Sequence, residues 1–514
     1  MGSFLARHEK EVIGCLHGLD RLRLVGTLRM VANAEGLSFF LYKVGVLLRD
    51  FKAYAERVTE RLKLASVGVM ERAGRPVLYL PGTAADKEGR AREIAARDGI
   101  KEGPVCGFTC VEPCMGFEIR KDEDGMIRPR AGLRKCLHVY HYHVHPVLGW
   151  MHARLQTWFP FTITVCLNGR EWLSRQLDRA RVGYAKRENC FVRVSDVDRA
   201  QELLEGQLRT DWPRLLSGIA RGLSPAHRSV FREFPLRYYW SAQETEWASD
   251  VMFRSPAALA GLYPGLVRHA MTMLDSPEVM RFLGGRALTG HFEGEATTKM
   301  RRRTEGVCVK HRVKKNWIKM YDKQGSVLRV ETVINDTRDF KVYRTPEGRP
   351  RAKKSWQRLR KGVADLHRRA EVSQAANERY LESLAEAEHP DPLGELVRPL
   401  CRPTKDAAGR RARALNPLGE DAVLLKALGK GEFLLNGFRN RDLRAELYGQ
   451  DPADPDQTKR RSAAVGRRLR LLRAHGLIKK VVGTTRYHLT ERGRHIVAAI
   501  AAAQSASVSK LSAA

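Results

Sequence analysis

Between residues 104 and 167 apolar and polar positions alternate with a period of two, and the runs are cut by Glu-Pro, Asp-Gly, His-Pro and Asn-Gly pairs. Alternation sends successive side chains to opposite faces of a strand, and those pairs supply the turns. The pattern predicts strands at 105–111, 116–121, 137–144, 150–158 and 161–167. The period lengthens to that of a helix at 171–181, returns to a strand at 190–194, and lengthens again at 196–208, where Asp196 is placed to cap the helix. An antiparallel sheet with helices on one face buries these stripes. The fold class is therefore α+β, an antiparallel-sheet core with flanking helices.

On either side the pattern is less regular. A helix is predicted over 34–64 with interruptions near Gly36 and Gly45, then a strand at 76–80 and a helix from residue 84 that stops at Gly99. Residues 214–300 read as mostly helical. A hairpin follows, with strands 317–321 and 327–334 around Asp322-Lys323-Gln324-Gly325, and then a long helix over 356–388. The Pro-, Gly- and Arg-rich stretch 389–419 reads as a linker. The predicted organisation is a mixed helical domain 1–102, a sheet domain 103–213, a basic helical and hairpin domain 214–388, the linker 389–419, a C-terminal module 420–500 and a disordered tail 501–514.

The C-terminal module has the sharpest pattern. Short helices are predicted at 421–428 and from Asn440, a third at 459–475, and a hairpin at 479–483 and 485–490. In the third helix Val465, Leu469 and Leu472 fall near helical spacing, while Arg467, Arg468 and Arg470 sit mainly elsewhere. The order helix-helix-helix-hairpin, with a basic third helix running into His475-Gly-Leu-Ile, resembles a winged-helix domain. That resemblance implies nucleic-acid contact by Arg467, Arg468 and Arg470 in a groove and by Arg486 on the wing.

Charge changes the picture most. The chain carries 91 Lys+Arg against 58 Asp+Glu, a formal net charge of +33, and folding alone does not call for such an excess. It is clustered: 299–315 holds eight basic residues and one acid, 349–369 nine and one, and 458–473 seven and none. A polyanion relieves the self-repulsion and releases its own counterions, so nucleic acid, DNA or structured RNA, is the expected partner. Arg301, Arg302, Arg303, Lys310, Arg312, Lys314, Lys315, Lys319, Lys323, Lys353 and Lys354 are the candidate contacts outside the C-terminal module. With 43% hydrophobic residues the chain can still build cores. No apolar run has the length of a membrane span, and no secretory leader pattern opens the chain. Nine cysteines, an odd number, fit reduced thiols in the cytoplasm.

Three constellations carry candidate chemistry. In His138-Val-Tyr-His141-Tyr-His143-Val-His145 alternate residues share a strand face, so His141 and His143 form a candidate metal pair. Cys106, Cys110, Cys114 and Cys136 lie nearby and admit zinc, although their spacing is not that of a CxxC knuckle. Lys319, Tyr321 and Lys323 alternate on a second strand, with Tyr321 a candidate nucleophile toward a phosphodiester and the lysines its phosphate contacts. The two motifs faintly resemble those of rolling-circle replication initiators, which implies nicking with Mg²⁺ or Mn²⁺, but the strands are 180 residues apart. Asp250, Glu295, Asp322 and Glu331 are candidate ligands of a two-metal nuclease site instead.

The stretches Gln156-Thr-Trp-Phe-Pro-Phe161, Lys319-Met-Tyr-Asp-Lys323 and Gly437-Phe-Arg-Asn-Arg-Asp-Leu-Arg444 resemble an uncharacterised bacterial family of mobile-element type, which implies no activity by itself. The expected function is binding and processing of nucleic acid for a mobile genetic element, as a metal-dependent endonuclease or nickase. The alternative is a non-catalytic binder, either a transcriptional regulator or the protein of a ribonucleoprotein.

Overall fold

The computed structural model describes residues 2–505 apart from 83–84, 122, 273, 275–278, 280–281, 284–295, 304–305, 347, 350, 386–392, 407, 431–432, 434–436, 451, 453 and 482. The fold is α+β, built on a large, mostly antiparallel sheet. Its strands are β1 (Val12–Leu28), β2 (Val77–Leu80), β3 (Gly103–Lys121), β4 (Ile127–His145), β5 (Gly149–Gln156) and β6 (Ile163–Asn168). After a separate hairpin of β7 (Tyr184–Arg187) and β8 (Cys190–Val194) come β9 (Tyr238–Phe253), β10 (Ala296–Arg303), β11 (Gly306–Val313), β12 (Asn316–Lys323) and β13 (Val327–Val333). Strands β9-β1-β6-β5-β4-β3-β2 are neighbours in that order, with β2 joining β3 in parallel, and β10-β11-β12-β13 are neighbours in theirs.

The chain divides into two compact units assembled from separate segments. The first comprises Ile13–Phe253 and Glu331–Gln374. The second comprises Met1–Val12, Arg254–Val330 and Ala375–Ala514. In the first unit helices Ala34–Lys43 and Phe51–Arg72 contribute to an aromatic core containing Phe40, Phe51, Phe117, Phe159, Phe161 and Phe231. A second cluster holds Ala91 and Ile94 of helix Lys87–Arg97 against Phe108, Tyr140 and Tyr142.

Two long strands depart from the sequence expectation. β1 lies in a stretch read only as mixed, because Gly14, Gly18 and Gly26 interrupt its alternation. Those glycines have a packing reason: a Cβ on Gly14 would lie 2.7 Å from Val197, and one on Gly18 2.6 Å from Leu204. Helix Val197–Arg209 approaches the strand too closely for side chains there. β9 crosses the stretch expected to be helical, and its nine C-terminal residues are buried without alternation. The remaining departures are smaller. Strands 105–111 and 116–121 are one continuous β3, and helix 34–64 is two helices separated at Gly45, whose φ is +67°. The expected helix 356–388 begins as strand Ser355–Arg358 and becomes helical only over Leu366–Leu384. Asp196 caps its helix as expected, accepting from the Arg199 N–H at 2.9 Å.

In the second unit, β10, β11 and β12 form an antiparallel meander. Within its C-terminal part, helices Ala422–Leu428, Asn440–Tyr448 and Pro455–Ala474 pack with a three-stranded sheet of Phe438–Arg439, Arg486–Leu489 and Ile478–Lys480. Leu424, Leu443, Val465, Leu469, Leu472 and Leu489 form its core. The stretch expected to be a linker takes part: Leu400 and Leu415 are buried in that core, and helix Leu393–Val397 precedes them. A last helix, Glu491–Ser505, runs into the expected tail, whose residues 506–514 lie outside the described ones. Among the described residues no helix is long and apolar enough to cross a membrane.

Candidate nucleic-acid interface

Strand alternation in β10–β12 buries Val309, His311, Val313, Ile318 and Met320, which turns the intervening residues to the opposite face. Register sets those residues side by side. Lys299 is opposite Lys310, and Lys310 is opposite Lys319, so three lysines stand abreast on adjacent strands. The flanking rows are Thr297-Arg312-Trp317 and Arg301-Cys308-Tyr321. Lys299, Arg301 and Arg312 are exposed and Lys310, Lys319, Trp317 and Tyr321 half-buried. The Lys310 ammonium lies 3.9 Å from the Trp317 ring centre, a cation–π contact.

β10 is an edge strand, where lysine discourages pairing with other chains, and β11 and β12 lie inside the sheet. Lys314 and Lys315 extend the basic surface as exposed residues of the β11–β12 turn, where the Arg312 Nε donates to the Lys314 carbonyl at 2.7 Å. Arg302 and Arg303 continue β10, and their side chains lie outside the described residues. Lys323 is buried, its ammonium 6.0 Å from the Tyr321 ring centre. Burial pushes the Asp322 carboxyl above its usual range, against the opposing Gly325 N–H.

The C-terminal helix Pro455–Ala474 buries Val465, Leu469 and Leu472 and exposes Lys459, Arg460, Arg467, Arg470 and Arg473. Asn440 fastens it to the preceding helix, donating to the Ser462 carbonyl at 3.0 Å and accepting from the Ser462 hydroxyl at 3.1 Å. Arg468 differs from its neighbours: it is half-buried, with its guanidinium 5.6 Å from the Tyr448 ring centre. Arg486 is half-buried on the hairpin, where Lys479 and Lys480 are exposed. In the first unit Lys353 and Lys354 are exposed just before Trp356. Trp356 pairs across the Lys341–Arg344/Ser355–Arg358 hairpin with Tyr343, the ring centres 5.6 Å apart and the residues 59% and 57% exposed.

The carboxylates separate into different roles. Asp250 forms a fully buried ion pair with Arg170, Nη2 to Oδ2 2.8 Å and Nε to Oδ2 2.9 Å. Its expected role as a metal ligand gives way to charge compensation inside the first unit. Glu331 instead meets Asp20 and Glu246, and one oxygen from each lies within 4.8 Å of the others. All three are buried. Asn189 donates to Asp20 at 2.8 Å, and the Arg21 guanidinium is held more firmly protonated, by Glu246 first, against burial, with Asp20, Glu244 and Glu331 adding. Asn189 also lines a groove of about 820 Å³, where Arg21, Arg23, Arg92 and Arg154 are matched by Glu88, Glu171, Glu188 and Glu244. Glu295 lies outside the described residues.

His141 and His143 share a face, as alternation predicts, with parallel rings 6.3 Å apart. They line a mainly apolar cavity of about 640 Å³. His141 is buried with Nε2 3.0 Å from the Ser66 hydroxyl, and burial followed by His143 pushes its pKa down to about 3. Burial followed by His145 holds His143 at about 4. Both rings are thus neutral at pH 7. The converging metal-donor groups among the described residues are Asp20/Glu246/Glu331 and Cys114/Cys136/His138, so neither His141 nor His143 belongs to one. Both groups lie in the first unit, whereas Tyr321 lies in the second.

Sequence reading missed Asp20, Glu246, Arg21 and Arg23, which depend on two strands it did not find. It also missed Lys299, Lys479, Lys480 and the exposed Tyr343–Trp356 pair. Lys299 sat inside a basic run already noted, and hairpin register was the signal that separates it from its neighbours. No protein-family model, curated protein or solved structure matches the chain.

Proposed function

We propose that this protein binds nucleic acid through the lysine and aromatic face of β10–β12, together with a C-terminal winged-helix domain. The row Lys299-Lys310-Lys319 carries the reading. Three cations abreast place a row of positive charge on one face, which matches a phosphate backbone with charge spaced along its length. Half-buried Tyr321 lies in the same surface as an aromatic group for unpaired bases, while the Trp317 ring is covered by the Lys310 ammonium. The C-terminal element order, three helices with a strand before the second and a hairpin after the third, supports the winged-helix assignment. In such a domain helix Pro455–Ala474 lies in the major groove with Arg467 and Arg470 facing DNA, and the hairpin follows the backbone. The ligand is duplex DNA or structured RNA, in the cytoplasm, in the service of a mobile element.

The test is electrophoretic mobility shift with a 30-base-pair duplex and with single-stranded DNA and RNA of the same sequence. Lys310→Glu is expected to weaken binding of every ligand at least tenfold while leaving the circular dichroism spectrum unchanged. Unchanged affinity in Lys310→Glu contradicts the reading.

A second reading, strand cleavage with Mg²⁺ or Mn²⁺, is favoured by the convergence of Asp20, Glu246 and Glu331. Carboxylate oxygens suit hard divalent ions. Asp20, Glu246 and Glu331 would hold such an ion, which would supply Lewis-acid activation of a water and of the scissile phosphate. Glu246→Gln and Glu331→Gln are expected to abolish metal-dependent nicking of supercoiled DNA and leave binding intact. If Tyr321→Phe alone abolishes it, with protein attached to the 5′ end, the tyrosine reading replaces this one.

A further inference from the structure

Cys114 on β3 and Cys136 on β4 stand diagonally across the antiparallel pair, since Cys114 is opposite Arg134 and Cys136 opposite Glu112. Their sulfurs are 3.1 Å apart. His138, two residues along β4 and so on the same face, places Nδ1 4.0 Å from the Cys136 sulfur. One donor atom from each of the three lies within 4.8 Å of the others. Cys106 and Cys110 belong elsewhere: both are buried in the apolar cluster around Phe108, and the Cys110 thiol faces the Gly82 carbonyl at 3.6 Å.

We infer that Cys114, Cys136 and His138 hold a zinc ion that clamps β3 to β4. At the usual Zn–S and Zn–N lengths a tetrahedral ion separates its donors by about 3.5–3.8 Å. The sulfur–sulfur spacing, 3.1 Å, is shorter than this and the sulfur–nitrogen spacing, 4.0 Å, longer, so side-chain shifts of about half an ångström bring the donors onto an ion. Two sulfurs and one imidazole are a thiophilic set, unlike the all-oxygen set of Asp20, Glu246 and Glu331, and they leave a fourth position for water. Binding displaces the thiol protons of Cys114 and Cys136 to solvent.

The position explains what such an ion does. Beyond it Met115, Ile127 and Leu133 are 57%, 49% and 76% exposed, while Phe117 is buried in the aromatic core. A clamp at this point adds to the packing of Phe117 in holding the outer hairpin in register.

The full-length chain, isolated without chelator, is expected to contain stoichiometric zinc by inductively coupled plasma mass spectrometry. After replacement by Co²⁺ it is expected to show a thiolate-to-cobalt charge-transfer band in the near ultraviolet. Cys136→Ser and His138→Gln are expected to lower zinc affinity at least tenfold, whereas Cys106→Ser, on the same hairpin, retains it. Zinc retained unchanged by Cys136→Ser overturns the inference. So does a Cys114–Cys136 disulfide in freshly isolated protein. Should the variants not fold, the wild-type cobalt spectrum decides, and absence of the charge-transfer band refutes the site.

Discussion

Asp250 and Arg170 meet inside the first unit with neither side chain exposed. A buried acid requires a positive partner, and removing one member strands the other in a low-dielectric interior. Arg170→Ala is expected to destabilise the protein by about 3–5 kcal/mol in urea unfolding. A loss below about 1 kcal/mol would show that the pair does not compensate buried charge. Sequence exposes the need for a cation beside Asp250 but not its identity, because the partner is 80 residues away. A metal and an arginine satisfy the same requirement. The histidines pose a similar ambiguity. His141, His143 and His152 are held down to about 3, 4 and 4, primarily by burial. They stay neutral in the folded chain while their unfolded counterparts take up protons near pH 6.5. Stability is therefore full above about pH 6.5 and falls as pH drops toward 4, by about 1.4 kcal/mol per pH unit for each imidazole once the unfolded state is protonated. Urea midpoints at pH 7.5 and 5 check this, and a flat profile would contradict it.

At the level of elements, legibility followed alternation. β5, β6 and β8 were readable because one face of each is apolar and turn residues bound them, whereas of β4 only 137–144 was read and its first half, from Ile127, was not. β1 was not, since glycines that admit a neighbouring helix also erase the pattern. β9 was not, since burial on both faces removes the period, and its acids resemble surface residues. The C-terminal helices were readable from helical spacing, yet spacing did not distinguish Arg467 from Arg468. Packing does: Arg468 lies over Tyr448, while Arg467 and Arg470 face outward. The double variant Arg467→Ala/Arg470→Ala is expected to weaken duplex binding and reduce the salt slope by roughly 2. Arg468→Ala is expected mainly to lower thermal stability. Equal effects of the two on affinity would argue against the proposed groove-facing side.

For the whole molecule, the net charge of +33 resolves into surfaces that differ in kind. The lysine row and the C-terminal helix present charge to solvent. Arg21, Arg154 and Arg170 lie beside carboxylates within the first unit. Composition gives only the total, because the division depends on which strands face which. A molecule carrying this much outward cationic charge should bind a polyanion chiefly through counterion release. The decisive measurement is fluorescence anisotropy of the full chain with labelled duplex DNA and structured RNA across a salt titration. The expected result is log-linear weakening with salt, its slope corresponding to roughly four or more released counterions for at least one ligand. Absence of binding to both at low salt, or affinity independent of salt, would contradict the account.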